Sequence, residues 1–137
     1  MEIRIGAAHT ESVLVDAENI ASAVGSGMVE VFATPMMVAL FELAASRCLA
    51  GFLDDGMVSV GTHINIDHSD ATPVGMTVSA TATIEAVDRR RVDFSIVVTD
   101  DAGEVGRGRH TRFVVDRAKF AEKALARREG GRQTLQI

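Results

Sequence analysis

The segment at residues 31–48, "VFATPMMVALFELAASRC", limits the folds open to this chain more than any other feature. It predicts a long helix, because Thr34 is a good N-cap and Pro35 fits the first helical position, where a missing N–H costs nothing. Gly51, or the "DDG" turn that follows it, ends the helix. A helix that is apolar on nearly every side has to be covered on most sides by other elements. This helix nevertheless carries one acidic residue, Glu42, and packing against other elements does not explain a carboxylate there.

The rest of the chain has the patterns of a sheet. Apolar and polar residues alternate in four β-rich runs, separated by turn-like sequences, at 57–69, 76–88, 91–99 and 104–115. A strand-like "HTESVLV" at 9–15 precedes the helix, and an amphipathic helix is predicted from Asp116 onward. Short connections favour antiparallel neighbours. The predicted class is therefore α+β, an antiparallel sheet wrapped around a long central helix.

The length of 137 residues predicts one domain, with a core at about 5–123 and a loose C-terminal tail at 124–137. A net charge of −5 argues against broad nucleic-acid binding, which needs a basic face. The single cysteine, Cys48, cannot form an intrachain disulfide, so a reducing compartment is the simplest expectation. The start of the chain has no signal-peptide pattern, and charged residues interrupt the most apolar region. We therefore expect a cytoplasmic protein without a membrane partner.

A sheet of about five strands cannot cover such an apolar helix on all sides. It also leaves open edges, whose unpaired backbone groups favour pairing with another chain. Edge-to-edge pairing of two copies would address both problems. We therefore expect a homodimer or a higher homo-oligomer.

Three stretches of this sequence are similar to one protein family: "VFATPMMVALFELA" at 31–44, "VGTHINIDHSDATPVGMTVSATA" at 60–82 and "GRGRHTRFVV" at 106–115. Together they resemble the fluoroacetyl-CoA thioesterase-like branch of the hotdog proteins, over roughly residues 5–123. The resemblance implies a hotdog fold. It also implies an acyl-CoA thioesterase, which hydrolyses the thioester to a carboxylic acid and free CoA. No cofactor is implied beyond the CoA of the substrate.

The resemblance also implies the site residues. The family's catalytic residues are a threonine just before the central helix, a glutamate within it, and a histidine on the next strand ahead of a "TP.G" turn. By position these are Thr34, Glu42 and His68. A family glycine close to the thioester corresponds to Gly61, and a family arginine near the pocket corresponds to Arg112. Glu42 would then be the catalytic carboxylate.

The chemistry of thioester hydrolysis fits these residue types but leaves their arrangement open. The reaction needs a base or a nucleophile, a donor for the developing oxyanion and a proton source for the thiolate. Glu42 could be the base or the nucleophile. Thr34 lies eight residues before it, about 12 Å along a helix, so a direct bond within one protomer is doubtful. Either a substrate spans the two residues or they meet across a dimer.

Other interpretations compete with this one. Glu42 could point to solvent or pair with Arg47, and Arg112 could be a surface ion-pair partner. No metal site is expected, since strand alternation puts His63 and His68 on opposite faces. The alternative function is a hotdog protein that binds acyl-CoA or a small ligand without turning it over. A dehydratase or hydratase is a third possibility, but its aspartate–histidine pattern is not visible.

The segment at 17–30 bears on substrate choice. In the enzyme that gives the family its name, the corresponding segment is a hydrophobic lid of bulky residues that helps to select the fluorinated substrate. Here it is dominated by Ala, Ser and Gly and contains no aromatic residue. The sequence therefore predicts a more open entrance and no dedicated fluoroacetyl-CoA activity.

Overall fold

The predicted α+β architecture is confirmed by a computed structural model, which describes residues 1–130. Each strand begins and ends within one residue of its predicted bounds. In chain order the elements are β1 (Ala8–Leu14), α1 (Ala21–Val24), α2 (Thr34–Ala50), β2 (Met57–His68), β3 (Thr77–Asp88), β4 (Arg91–Asp100), β5 (Gly103–Asp116) and α3 (Arg117–Arg128).

The five strands form one antiparallel sheet in the order β1-β3-β4-β5-β2. Strands β1 and β2 are its edges. Strand β2 pairs with β5, and Gly61 lies opposite Arg112 in this ladder. The register shifts between Gly61 and His63, so Thr62 is an extra residue that changes which side chains face inward. Beyond this bulge, Ile64 lies opposite His110.

Helix α2 packs its apolar stripe on the concave face of the sheet, against β1, β2, β3 and β5. Its buried residues follow helical spacing: Met37, Leu40, Phe41, Ala44, Ala45, Cys48 and Leu49. The opposite side remains exposed, including Glu42 and Leu43. One sheet therefore covers only part of the helix, as the sequence predicts.

The start of α2 differs from the prediction by one residue. Ala33 occupies the N-cap position, and its carbonyl accepts hydrogen bonds from the N–H groups of Met36 and Met37. Thr34 is the first helical residue, and it makes no capping bond because its hydroxyl contacts His68 instead. Pro35 is consequently the second residue of the helix.

Helix α3 begins as predicted, after Asp116, whose side chain accepts a hydrogen bond from the backbone N–H of Lys119. It continues to Arg128 without burying any residue, so the first part of the predicted loose tail is helical. Residues 131–137 lie outside the described residues. No helix within residues 1–130 is long and apolar enough to cross a membrane.

Candidate active site

The start of α2 and the end of β2 bring Thr34 and His68 together. Thr34 Oγ1 lies 2.8 Å from His68 Nδ1, a hydrogen-bond distance. Both residues line a recess of about 290 Å³. Its other walls include Ala21, Ser26, Gly27 and Val29, from the segment at 17–30 that corresponds to the family lid. Two of the three predicted catalytic residues are therefore in direct contact, next to that segment.

The surroundings of His68 favour its neutral form. Burial lowers the pKa of its imidazole, and a smaller effect of the Asp70 backbone opposes this change. Its Nε2 atom is buried and has no hydrogen-bond partner among residues 1–130. One ring nitrogen thus contacts Thr34, while the other keeps its hydrogen-bonding capacity.

Glu42 lies further along α2 and faces strand β5 rather than solvent alone. Its Oε2 atom is 3.6 Å from Arg112 Nη1, and its side chain is 48% exposed. The alternative partner, Arg47, instead donates to Glu11 at 2.8 Å. Among the described residues, Glu42 therefore pairs with the predicted site arginine, Arg112, and not with Arg47.

Gly61 makes room for this carboxylate on strand β2. A Cβ atom built on Gly61 would lie 2.5 Å from Glu42 Oε2, 3.0 Å from His110 Cε1 and 3.3 Å from Arg112 Nη1. The first of these distances is shorter than real Cβ atoms tolerate. The glycine is therefore needed for the close approach of Glu42 to the strand.

Arg112 is 6% exposed, and residues of neighbouring strands hold its guanidinium. Its Nε donates to Ser59 Oγ at 2.8 Å, and its Nη2 donates to the Ser59 carbonyl at 2.9 Å. Its Nη1 lies 3.1 Å from His110 Nε2. Burial lowers the pKa of Arg112, and the Glu42 carboxylate opposes this effect. Most of its donors thus bind protein rather than face open space.

Ser59 and His110 were missed by the sequence reasoning. The available signal was strand alternation, because Ser59 shares a face with Gly61, and His110 shares a face with Arg112. Alternation gives the face but not the partner across the ladder. The link to His110 could therefore not be found without the register of β2 on β5.

The two clusters remain separate within one protomer. Glu42 and Gly61 line a second recess of about 220 Å³, together with Val38, Ile64 and His110. Within residues 1–130, Glu42 makes no hydrogen bond or ion pair with Thr34 or His68. The separation agrees with the distance expected from eight residues of helix.

The described residues contain no group of three or more His, Cys, Asp or Glu side chains that could hold a metal ion. Strand alternation separates the histidines of β2, since His63 is exposed while His68 is partly buried on the other face.

Comparisons with known proteins give consistent matches. A family model described as "Fluoroacetyl-CoA-specific thioesterase" matches residues 15–118. The fluoroacetyl-CoA thioesterase of Streptantibioticus cattleyicolor is 40% identical over 102 residues, which are 74% of this chain and 73% of that protein.

Solved structures give the same result. One is a mutant of a fluoroacetyl-CoA-specific thioesterase in complex with fluoroacetate and CoA. It is 35% identical, with a TM-score of 0.81 over 85% of this chain and 98% of that chain. A hotdog-like protein from Thermanaerovibrio acidaminovorans is 26% identical, with a TM-score of 0.82 over 93% of this chain and 94% of that chain. These similarities confirm the predicted hotdog fold.

Proposed function

The chain belongs to the fluoroacetyl-CoA-specific thioesterase family, and from this premise we propose that it hydrolyses acyl-CoA thioesters to a carboxylic acid and free CoA. The observation that carries the proposal is the position of Glu42, a half-exposed carboxylate beside Gly61 and Arg112 at the edge of a recess. A protein that only binds its ligand has no need for a carboxylate there.

The proposed roles follow from the reaction. Hydrolysis forms a C–O bond and breaks the C–S bond, while negative charge develops first on the carbonyl oxygen and then on the leaving sulfur. Glu42 either removes a proton from the attacking water or attacks the carbonyl carbon itself. Thr34 and His68 supply the hydrogen-bond donors for the oxyanion and the proton for the thiolate. No cofactor takes part beyond the CoA of the substrate.

Gly61 and Arg112 take different parts in this proposal. Gly61 leaves room for the thioester beside the carboxylate, because it has no side chain. Arg112 holds Glu42 in place, since its other donors are engaged by Ser59 and His110. Its effect on the substrate is therefore exerted through Glu42.

The proposal includes a cytoplasmic homodimer in which each site is completed between two copies. Three observations within residues 1–130 support the dimer: the exposed side of α2, the unpaired edge of β2 beside Glu42, and the lack of a partner for Nε2 of His68. Light scattering should give the mass of at least a dimer at micromolar concentration. A stable monomer would contradict this part of the proposal.

The substrate class is proposed to be acyl groups other than a dedicated fluoroacetyl group. The segment at 17–30 contributes only small or aliphatic side chains to the recess beside Thr34, and Met28 at its tip is 97% exposed. Such a segment seals a small pocket poorly. An apolar pocket separates neighbouring chain lengths by about 1–3 kcal/mol per methylene, so the preference should be graded.

A thiol-release assay over short, long and aryl acyl-CoAs tests the activity. We expect turnover of some of these substrates. The hydrolysis rate of fluoroacetyl-CoA should exceed that of acetyl-CoA by no more than the difference in their intrinsic reactivities. Saturable binding of acyl-CoA with no thiol release would favour the non-catalytic alternative. A far larger preference for the fluorinated substrate would refute the interpretation of residues 17–30.

A further inference from the structure

His110 has two polar contacts, and together they fix its protonation state. Its Nδ1 lies 2.8 Å from the carbonyl oxygen of His63, which can only accept a hydrogen bond. The hydrogen must therefore be on Nδ1. Its Nε2 lies 3.1 Å from Arg112 Nη1, which can only donate. The two contacts are thus compatible with one form alone, the neutral ring with its hydrogen on Nδ1.

The ring has little freedom to leave this position. His110 is 2% exposed, and its ring centroid lies 6.2 Å from that of Phe94 on strand β4. On the side of β2, a Cβ atom built on Gly61 would lie 3.0 Å from its Cε1, so the ring packs close to the backbone of that strand. The orientation of Nε2 is therefore set by packing from both neighbouring strands as well as by the bond to His63.

From this geometry we propose that His110 is a positioning residue that holds Arg112 against Glu42. This proposed role rests on the proposed function, because the alignment of Glu42 matters for catalysis only if Glu42 acts on the thioester. Nη1 is the guanidinium nitrogen nearest Glu42 Oε2, at 3.6 Å, and it is also the one that His110 contacts. Ser59 holds the other side of the guanidinium.

The charges around His110 agree with a neutral ring. Burial lowers the pKa of His110, and it is the largest effect. Arg112 on β5 and His63 on β2 lower that pKa further, whereas the His63 carbonyl and Glu42 on α2 raise it. A proton on Nε2 would remove the acceptor for Arg112 and place two cations in contact.

Two conservative variants separate positioning from packing. In His110→Asn the amide can still donate to the His63 carbonyl, but it cannot reach Arg112. In His110→Gln the amide oxygen can accept from Arg112 Nη1 near the former Nε2. We expect kcat to fall about tenfold in His110→Asn, with KM nearly unchanged, because this variant loses the hydrogen bond to the charged Arg112 donor. His110→Gln keeps that hydrogen bond, so we expect it to keep most of the normal kcat. Equal losses in two folded variants would overturn the proposal.

A measurement on the unmodified protein does not depend on either variant folding. Nitrogen-15 NMR of labelled histidine should show His110 as the neutral tautomer with its hydrogen on Nδ1 near pH 7. A hydrogen on Nε2, in either the neutral or the charged ring, would refute the role, since Nε2 could not accept from Arg112. Failure of the proposed function would be recognised separately, as no thiol release by the unmodified protein with any acyl-CoA.

Discussion

At the scale of single residues, the carboxylate of Glu42 approaches strand β2 at the residue that has no side chain, Gly61. In Gly61→Ala the new methyl group would lie 2.5 Å from Glu42 Oε2. The flexible end of Glu42 would move away, and with it the alignment on Arg112. We expect kcat to fall by about tenfold or more. Gly51→Ala is the matched control, because a Cβ there meets no atom of residues 1–130 within 4 Å. Similar kinetics for both variants would contradict this account.

Glu42→Gln tests the carboxylate itself. The substitution keeps the size of the side chain and removes its charge, so the fold should persist. Loss of one essential catalytic group costs on the order of 10²-fold or more in rate. The thiol-release rate and the thermal unfolding midpoint are both measured, and the midpoint should change little. If the variant works at nearly the normal rate, Glu42 is not the catalytic carboxylate.

His68→Ala tests the second cluster. It removes the partner of Thr34 and the buried Nε2, so turnover should fall while the oligomeric state stays the same. His9→Ala is the control, since His9 lies on β1 and contacts Glu11 instead. Kinetics and light scattering are compared for both variants. Equal losses of activity would mean that the wrong histidine has been chosen.

At the scale of elements, a side-chain hydrogen bond joins the loop after β2 to the turn between β4 and β5. The hydroxyl of Thr72, which is fully buried, donates to Asp100 Oδ2 at 2.7 Å. The other carboxylate oxygen accepts from the backbone N–H groups of Ala102 and Gly103. The Thr72 carbonyl in turn accepts from the N–H of Phe32. The turn between β4 and β5 is thus connected to the segments before Thr34 and after His68.

Thr72→Val tests this connection through its pH dependence. The hydrogen bond from Thr72 is the largest cause that lowers the pKa of Asp100. The two backbone N–H groups lower this pKa by less, and burial raises it. A lowered folded-state pKa stabilises the fold above the ordinary aspartate pKa, and the effect is lost as pH falls through the folded value. We expect a loss of about 1 kcal/mol in unfolding free energy at pH 7.

Urea unfolding at several pH values measures that loss. It should shrink in strongly acidic solution, where Asp100 is protonated in both states. Thr99→Val, at an exposed position on β4, should change the unfolding free energy by less than about 0.5 kcal/mol. A loss in Thr72→Val that is constant down to acidic pH would exclude the carboxylate as the partner that matters.

Local patterns predicted the elements well and their contacts poorly. Period-two alternation placed β2 to β5, and the strand-like "HTESVLV" placed β1. Alternation reflects one covered face, and a strand's covered face depends little on which strand lies beside it. The predicted N-cap role of Thr34 was wrong for the opposite reason: a histidine 34 residues away engages its hydroxyl. The partner of Glu42 was likewise missed: local spacing offered only Arg47, whereas the pairing with Arg112 depends on where β5 passes α2.

At the scale of the whole molecule, the arrangement of the two clusters can be tested by mixing inactive variants. Thr34→Ala and Glu42→Gln chains are co-refolded in equal amounts. If each site takes its two clusters from different copies, a mixed dimer has one intact site, and about a quarter of the normal activity returns. If both clusters of a site come from one copy, every site in the mixture is defective and no activity returns.

In the part of the chain that the structure describes, β2 is an edge strand beside the recess that holds Glu42, and this position also bears on how the rate depends on the protein concentration. A site that needs two chains exists only in the associated fraction, which falls as the protein is diluted. Well below the dissociation constant of the pair, the reaction then becomes second order in enzyme, so that halving the protein cuts the rate to about a quarter. Substitutions along this edge, at positions other than Gly61 and His68, would shift the concentration at which that change of order occurs.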